Sequence, residues 1–260
     1  VPLYVNFKEG SIKETEIDPA EFYEKILKEG IPTSSQPSLG DFYQVMRPLV
    51  EKNHPLVGVF ISSKMSGTYY SALQAREMLI NDFPQAKIEI IDSGSNSMQL
   101  GLAVLEGARA SSEGRPFEQV VEAVKECLKR TRYLFAPETL KYLQLGGRIG
   151  RASTILGSIL QIVPVLTVEN GIVEVVAKVR TKKKAVEAML EKLYEDHLKY
   201  KVLEVTVHHI NVYEEAVRLA DLISKRLKLK PQIVEIGPVV GIHVGPGAVG
   251  FVYRTERLLR

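Results

Sequence analysis

The chain has a single cysteine, Cys127, so no disulfide can form within it, and a lone thiol fits a reducing compartment. The residue sits in Ala123-Val124-Lys125-Glu126-Cys127-Leu128-Lys129, an amphipathic helical pattern that makes it a small core residue and not a nucleophile. No apolar run reaches the ~20 residues needed to span a bilayer, and no signal-peptide pattern opens the chain, which together point to the cytoplasm. An excess of charge is missing too. With 34 basic and 31 acidic residues the net charge is +3 over 260 residues, which gives no argument for nucleic acid. The densest basic cluster, Arg180-Thr181-Lys182-Lys183-Lys184, is followed at helical spacing by Glu187 and Glu191 and reads as a solvated helix entry. There is no internal repeat and no low-complexity segment.

What is present is the balance of a folded protein: 45% hydrophobic and 25% charged residues leave no room for extensive disorder. A length of 260 residues suits two domains of ordinary size. Val57-Gly58-Val59-Phe60-Ile61, a helix over 68–82, Ile88-Glu89-Ile90-Ile91-Asp92 and a helix from about Met98 alternate, which predicts βαβ crossovers and a doubly wound, parallel-sheet α/β half. After a helix over 117–129 the pattern changes. Tyr133-Leu134-Phe135-Ala136 reads as a strand, and residues 138–145 as a short helix stopped by Gly146-Gly147. Asn170-Gly171 between β-rich runs predicts a hairpin, because both residues tolerate positive φ. A strand over 203–209, a helix over 213–227 and strands over 233–236 and 250–253 complete an α+β half with antiparallel pairing. The expected division is an α/β domain over 1–131 and an α+β domain over 132–260, with the ligand near their interface.

Three segments hold more polar chemistry than structure requires. Pro32-Thr33-Ser34-Ser35-Gln36-Pro37-Ser38 presents hydroxyls from a loop stiffened by prolines, with Ser38 as cap of a helix beginning near Asp41. Ser62-Ser63-Lys64-Met65-Ser66-Gly67-Thr68-Tyr69 follows a buried strand and precedes a helix. Ligands bind beyond the carboxyl ends of parallel strands, and helix starts favour anions, so Ser66 and Thr68 are placed to hold a carboxylate or phosphate. In the glycine-rich stretch 237–250, His243 is surrounded by loop formers, and its imidazole, neutral or protonated, can donate to a carboxylate. A fourth segment, Gly146-Gly147-Arg148-Ile149-Gly150-Arg151, sets two arginines in a glycine-rich turn, where a guanidinium suits a carboxylate or an interdomain salt bridge. His208-His209 are adjacent on a strand, so their rings face opposite sides and cannot share a metal; they read as a solvated pair at a strand end.

At these residues the sequence resembles the DegV family, fatty-acid-binding carrier proteins of the bacterial fatty acid kinase system. The marks are Thr33-Ser34-Ser35-Gln36-Pro37-Ser38, Ser62-Ser63-Lys64-Met65-Ser66-Gly67-Thr68-Tyr69, Ile91-Asp92-Ser93, Glu138-Thr139-Leu140-Lys141-Tyr142-Leu143 with Gly146-Gly147-Arg148-Ile149-Gly150, Lys178-Val179-Arg180-Thr181 and Gly245-Pro246-Gly247. The resemblance covers nearly the whole chain. It implies a non-catalytic carrier that takes a long-chain fatty acid from the membrane surface, buries the tail, and presents the carboxylate to a separate kinase subunit for acyl phosphate formation. No metal or other cofactor is implied. The carboxylate-binding residues carry over to Ser34, Ser66, His243 and Arg148, with Ser35, Gly67, Thr68 and Arg151 matching less closely. At Ser34 the family often has Thr, which keeps the hydroxyl. The family also begins with a strand and an Asp-Ser-Thr type loop upstream of Val1, so a first strand and one wall of the site are expected outside this sequence. Two further absences bear on mechanism. Without a Gly-x-x-x-x-Gly-Lys-Ser/Thr motif, phosphate transfer falls to a partner. Without a Gly-x-Ser-x-Gly elbow, the rival reading, a serine hydrolase using Ser66 as nucleophile and His243 as base on an acyl ester, has little support.

Overall fold

The computed structural model describes residues 1–156 and 162–259. The parts of the expected second domain at 157–161 and 260 therefore lie outside the described residues. The chain opens with β1 (Tyr4–Phe7) and β2 (Gly10–Lys13), a hairpin, and then α1 (Pro19–Glu29), which Asp18 caps by accepting from the Ala20 and Glu21 amides. Next comes β3 (Thr33–Ser35), which pairs antiparallel with β1 to give the sheet order β2-β1-β3. The serine-rich segment expected to be a loop is thus partly a strand. Its three residues are too few to show a period, and the pairing with β1 decides their conformation.

Helix α2 (Leu39–Glu51) starts after Ser38, the cap the sequence predicts, two residues before the expected start near Asp41, and Ser38 and Asp41 form a full capping box. Strand β4 (Leu56–Phe60), α3 (Thr68–Asp82) and β5 (Ile88–Asp92) form a βαβ unit with parallel β4-β5 pairing. Phe42 and Met46 of α2, Ala72, Ala75 and Leu79 of α3, and Ile88 and Ile90 of β5 make its core. The fold is α/β with a parallel sheet in this half, but the described parallel sheet has two strands and stands beside the antiparallel β2-β1-β3 sheet, which is less than a doubly wound sheet. Helices α4 (Ser97–Ser112) and α5 (Phe117–Lys129) then pack side by side. Cys127 is buried there, and burial pushes its thiol up to about 11, which leaves it an inert core residue.

The remaining strands form one sheet, ordered β10-β9-β11-β6-β7-β8. They are β6 (Thr131–Ala136), β7 (Val163–Glu169), β8 (Ile172–Val179), β9 (Val202–His209), β10 (Gln232–Glu235) and β11 (Val249–Thr255). Between β6 and β7 lies α6 (Lys141–Leu145), and α7 (Lys182–Tyr200) and α8 (Tyr213–Leu227) follow β8 and β9. Pairing is antiparallel except between β9 and β10, where the α8 crossover makes it parallel. The hairpin forms at Asn170-Gly171, whose φ angles are +51° and +82°.

Strand β6 shows how this sheet joins the two halves. Leu134 and Ala136 face the core built with α7 and α8, whereas Tyr133 and Phe135 face the core that includes Leu102 and Ala103 of α4 and Phe22 and Tyr23 of α1. A strand covered on both faces loses polar alternation, which is why the four residues 133–136 are apolar throughout.

Three expectations need correction. The glycine-rich stretch contains a helix, α9 (Pro238–Val244), with Pro238 at its first turn. His208 and His209 are 2% and 4% exposed, not solvated, because β9 lies between β10 and β11 inside the sheet. Their rings do face opposite ways, His208 against Tyr133 and His209 against Tyr213. In the basic cluster, Lys183 and Lys184 are exposed, but Lys182 ion-pairs with Glu138 and Glu215 and donates to the Gly247 carbonyl at 2.8 Å. Thr181 caps α7 by accepting from the Lys184 amide. No helix among the described residues is long and apolar enough to cross a membrane.

Candidate functional site

A cavity of about 250 Å³ lies where β3, the loop after β4, the start of α4, β6, α6 and α9 converge. Ile61, Phe135, Leu143, Val173, Val239 and Val244 supply much of its apolar wall. Ser34, Ser35, Ser66, Gly67, Arg148 and His243 line the same cavity, although they come from four separate segments of chain. Thr68 and Arg151 do not line it. No aspartate or glutamate is among the described lining residues, and Arg148 is the one lining group that is always charged.

Ser34 is the middle residue of β3 and the only one of the three not exposed, because its register with Val5 on β1 turns it inward. Its hydroxyl lies 3.0 Å from His243 Nε2 in the last turn of α9. The other imidazole nitrogen, Nδ1, is buried without a hydrogen-bond partner among the described residues. It is pressed so closely onto Gly146 that a Cβ there would lie 2.2 Å from it. Glycine at 146 is therefore a condition for seating the ring. Burial, helped by the positive charge of Arg148, lowers the imidazole to about 4. Of the two forms the sequence leaves open, the structure holds the neutral one at pH 7, with a single N–H to donate.

Arg148 leaves the turn after α6 and crosses to the first half of the chain. Its Nε donates to the Met65 carbonyl at 3.0 Å and its Nη1 to the Gly146 carbonyl at 2.6 Å. Among the described residues, the other three of its five donors have no partner, so a further acceptor in the cavity has donors waiting for it. Ser66 sits one residue before the α3 cap, its hydroxyl 2.8 Å from Thr68 Oγ1 and 3.3 Å from the Thr68 amide. Thr68, 4% exposed, meets the cavity only through this contact with Ser66 among the described residues. Arg151 points to Glu174 at 3.0 Å with a largely exposed side chain, an ion pair within the second half of the chain and not the interdomain bridge that the sequence allowed.

Two lining residues escape a reading by motif. Gln36 donates to Ser71 Oγ at 2.7 Å, and its Oε1 rests so near Gly67 that a Cβ there would lie 2.1 Å away. This amide thus ties β3 to the start of α3, and its place between Ser35 and Pro37 was the available signal. Asn96 is the N-cap of α4 yet makes no capping bond; its amide contacts Met65 Sδ at 3.6 Å, and its Oδ1 is buried without a partner among the described residues. Read from sequence, an Asn before a helix is simply a cap. The hydrolase geometry is not made: His243 bonds to Ser34, Ser66 bonds to Thr68, and an imidazole lowered to about 4 is a poor base at neutral pH.

Fold and site together define an α/β protein with a cavity that combines an apolar wall with neutral hydrogen-bond donors and, among the described lining residues, a single cation. The chain belongs to the DegV family, whose model, described as "Uncharacterised protein, DegV family", matches residues 1–256. A DegV domain-containing protein of Clostridium acetobutylicum is 50% identical over 260 residues, covering 100% of this chain and 91% of that protein. The fold is similar to a solved structure from Thermus thermophilus described as showing fatty acid binding of a DegV family protein. The TM-score is 0.90 and the identity 31%, over 98% of this chain and 91% of that one. It is also similar to a stearic acid-binding protein from Eubacterium ventriosum, with a TM-score of 0.89 and 28% identity over 98% and 90% of the two chains.

Proposed function

We propose that this protein binds a long-chain fatty acid, its tail against the apolar cavity wall and its carboxylate held by Ser34, Ser66, His243 and Arg148. The observation that carries this reading is the union, in one cavity, of an apolar wall with hydroxyl, imidazole and guanidinium donors and no acidic side chain among the described lining residues. Each buried methylene contributes ~0.8 kcal/mol, so the tail supplies affinity and the donors select the head group. The solved relatives that bind fatty acids support the same ligand class. Isothermal titration of delipidated protein with stearate tests it: saturable uptake near one per chain is expected, and no uptake sinks the reading. Mass spectrometry of copurified lipid is an independent check.

In the fuller reading the protein is a non-catalytic carrier in the cytoplasm. It touches the membrane transiently and hands the carboxylate of its bound acid to the catalytic subunit of a fatty acid kinase. Support comes from the family motifs, and from the lack of any phosphate-cradling Gly-x-x-x-x-Gly-Lys-Ser/Thr in the sequence. Loaded protein, the kinase subunit and ATP should yield acyl phosphate, trapped as a hydroxamate; failure of that reaction leaves binding intact and removes the kinase role. The same reading divides the chain into domains at 1–131 and 132–260 with the site between them. It is supported by the strands, because those before residue 131 and those from β6, which begins at Thr131, fall into separate sheets.

A further inference from the structure

Ser62 is fully buried, does not line the cavity, and has every polar group engaged. Its amide donates to the Ser95 carbonyl at 2.8 Å, and its own carbonyl accepts from the Met65 amide at 2.9 Å and the Ser66 amide at 3.1 Å. Its hydroxyl accepts from the Lys64 amide at 3.2 Å and donates to the Gly171 carbonyl at 2.8 Å. Two residues on, the Lys64 ammonium donates to the Asn170 carbonyl, also at 2.8 Å. Both carbonyls of the two-residue β7–β8 turn are therefore taken by the loop that carries Ser66.

Hairpin turns ordinarily face water. Here Gly171 is buried, and a Cβ on it would come within 2.6 Å of Ser62 Oγ. With φ at +82° it needs glycine both for its conformation and for this approach. Arg148 grips the same loop at the Met65 carbonyl. Residues 62, 64 and 65 are thus each fixed by the second half of the chain, and Ser66 follows directly.

We propose that Ser62 is a positioning residue for the anion grip: the Asn170-Gly171 turn, acting through its hydroxyl, holds the loop so that Ser66 presents its own hydroxyl to a carboxylate in the cavity. The assignment rests on the fatty-acid reading. Removing the Ser62 hydroxyl leaves the buried Gly171 carbonyl and the Lys64 amide unpaired, and the loop relaxes away from the geometry that favours an anion. The tail-binding wall is left as it was.

The test compares myristate with tetradecanol, which share a tail and differ in the head group, by displacement of a fluorescent probe from delipidated protein. Melting temperature is read on the same samples. Wild type is expected to prefer the acid. Ser62→Ala should lose about tenfold of that preference, on the order of one hydrogen bond, while its affinity for the alcohol changes less than about twofold. Lys64→Met should lose a smaller share. A folded Ser62→Ala protein that keeps the wild-type preference, or loses acid and alcohol affinity equally, overturns the assignment and leaves Ser62 a packing residue. If Ser62→Ala does not fold, Lys64→Met decides, and an unchanged preference there overturns it equally. A wild-type protein without preference for the acid overturns the fatty-acid reading itself, and the assignment with it.

Discussion

His243 condenses the chemistry of the site into one residue. A histidine whose imidazole is lowered to about 4 is neutral at pH 7, so in the proposed function it meets the carboxylate by a hydrogen bond and leaves the charge to Arg148. Its partner Ser34 is the hydroxyl to remove first: Ser34→Ala should weaken stearate binding roughly 10- to 100-fold, the range for a bond to a charged acceptor, as calorimetry can measure. His208 makes a different prediction. It is buried against Tyr133, and burial, with His209 beside it, lowers its imidazole to about 3. Between that value and the ordinary 6.5 the unfolded chain holds one more proton at this site than the folded one. Stability attributable to His208 is therefore intact above pH 6.5 and is lost as pH falls toward 3, by about 1.4 kcal/mol per unit. Urea denaturation at pH 7, 6 and 5 should show a shallower decline for His208→Leu than for wild type, and equal slopes would show that the two states bind protons alike there.

Among the elements, α9 is the one on which the site turns and the one least legible in sequence. Glycines at 237, 241, 245, 247 and 250 argue against a helix on propensity. What makes the helix is tertiary: Pro238, Val239, Ile242 and Val244 are buried, and Gly241 lies under Tyr23, where a Cβ would come within 2.1 Å of the phenol oxygen. Tyr23 is fully buried and bonds to the Ile236 carbonyl, so it has nowhere to go. Gly241→Ala should accordingly lower stability by about 1–3 kcal/mol and weaken fatty-acid binding as well, since His243 rides on the displaced helix. A thermal melt paired with a titration checks both, and a loss of stability without loss of affinity would show that the helix yields away from the cavity. Where local signals agree with the fold, the sequence is a good guide. Helix α3 and the Asn170-Gly171 hairpin fall where periodicity and positive φ place them. Strand β3 and the parallel β9–β10 pair do not, because partners far along the chain decide them. The same holds for the site. Ser34, Ser66, Arg148 and His243 stand out as polar groups in glycine- and serine-rich segments, whereas Gln36 and Asn96 carry turn and cap signals that hide their place at the cavity.

At the scale of the whole molecule, the cavity takes residues from both halves, and the largest apolar core likewise runs from Val5 to Val252. A ligand seated there contacts β3 and the α3 entry on one side and β6 and α9 on the other, so it binds the folded arrangement and not the unfolded chain. Linkage then sets the size of the effect. At a free fatty-acid concentration one hundred times Kd the folded state gains about 2.7 kcal/mol. With an unfolding entropy of roughly 2.1 cal/mol/K per residue, that gain corresponds to a rise of about 5 °C in Tm for a chain of this length. The rise should grow with the logarithm of fatty-acid concentration, be smaller for Ser34→Ala at the same concentration, and be accompanied by slower amide hydrogen exchange in both β3 and α9. Scanning calorimetry over a concentration series, with exchange read by mass spectrometry, measures all three. Protection confined to one half would mean that the acid sits on that half alone and that the convergence of segments at the cavity is packing without ligand contact.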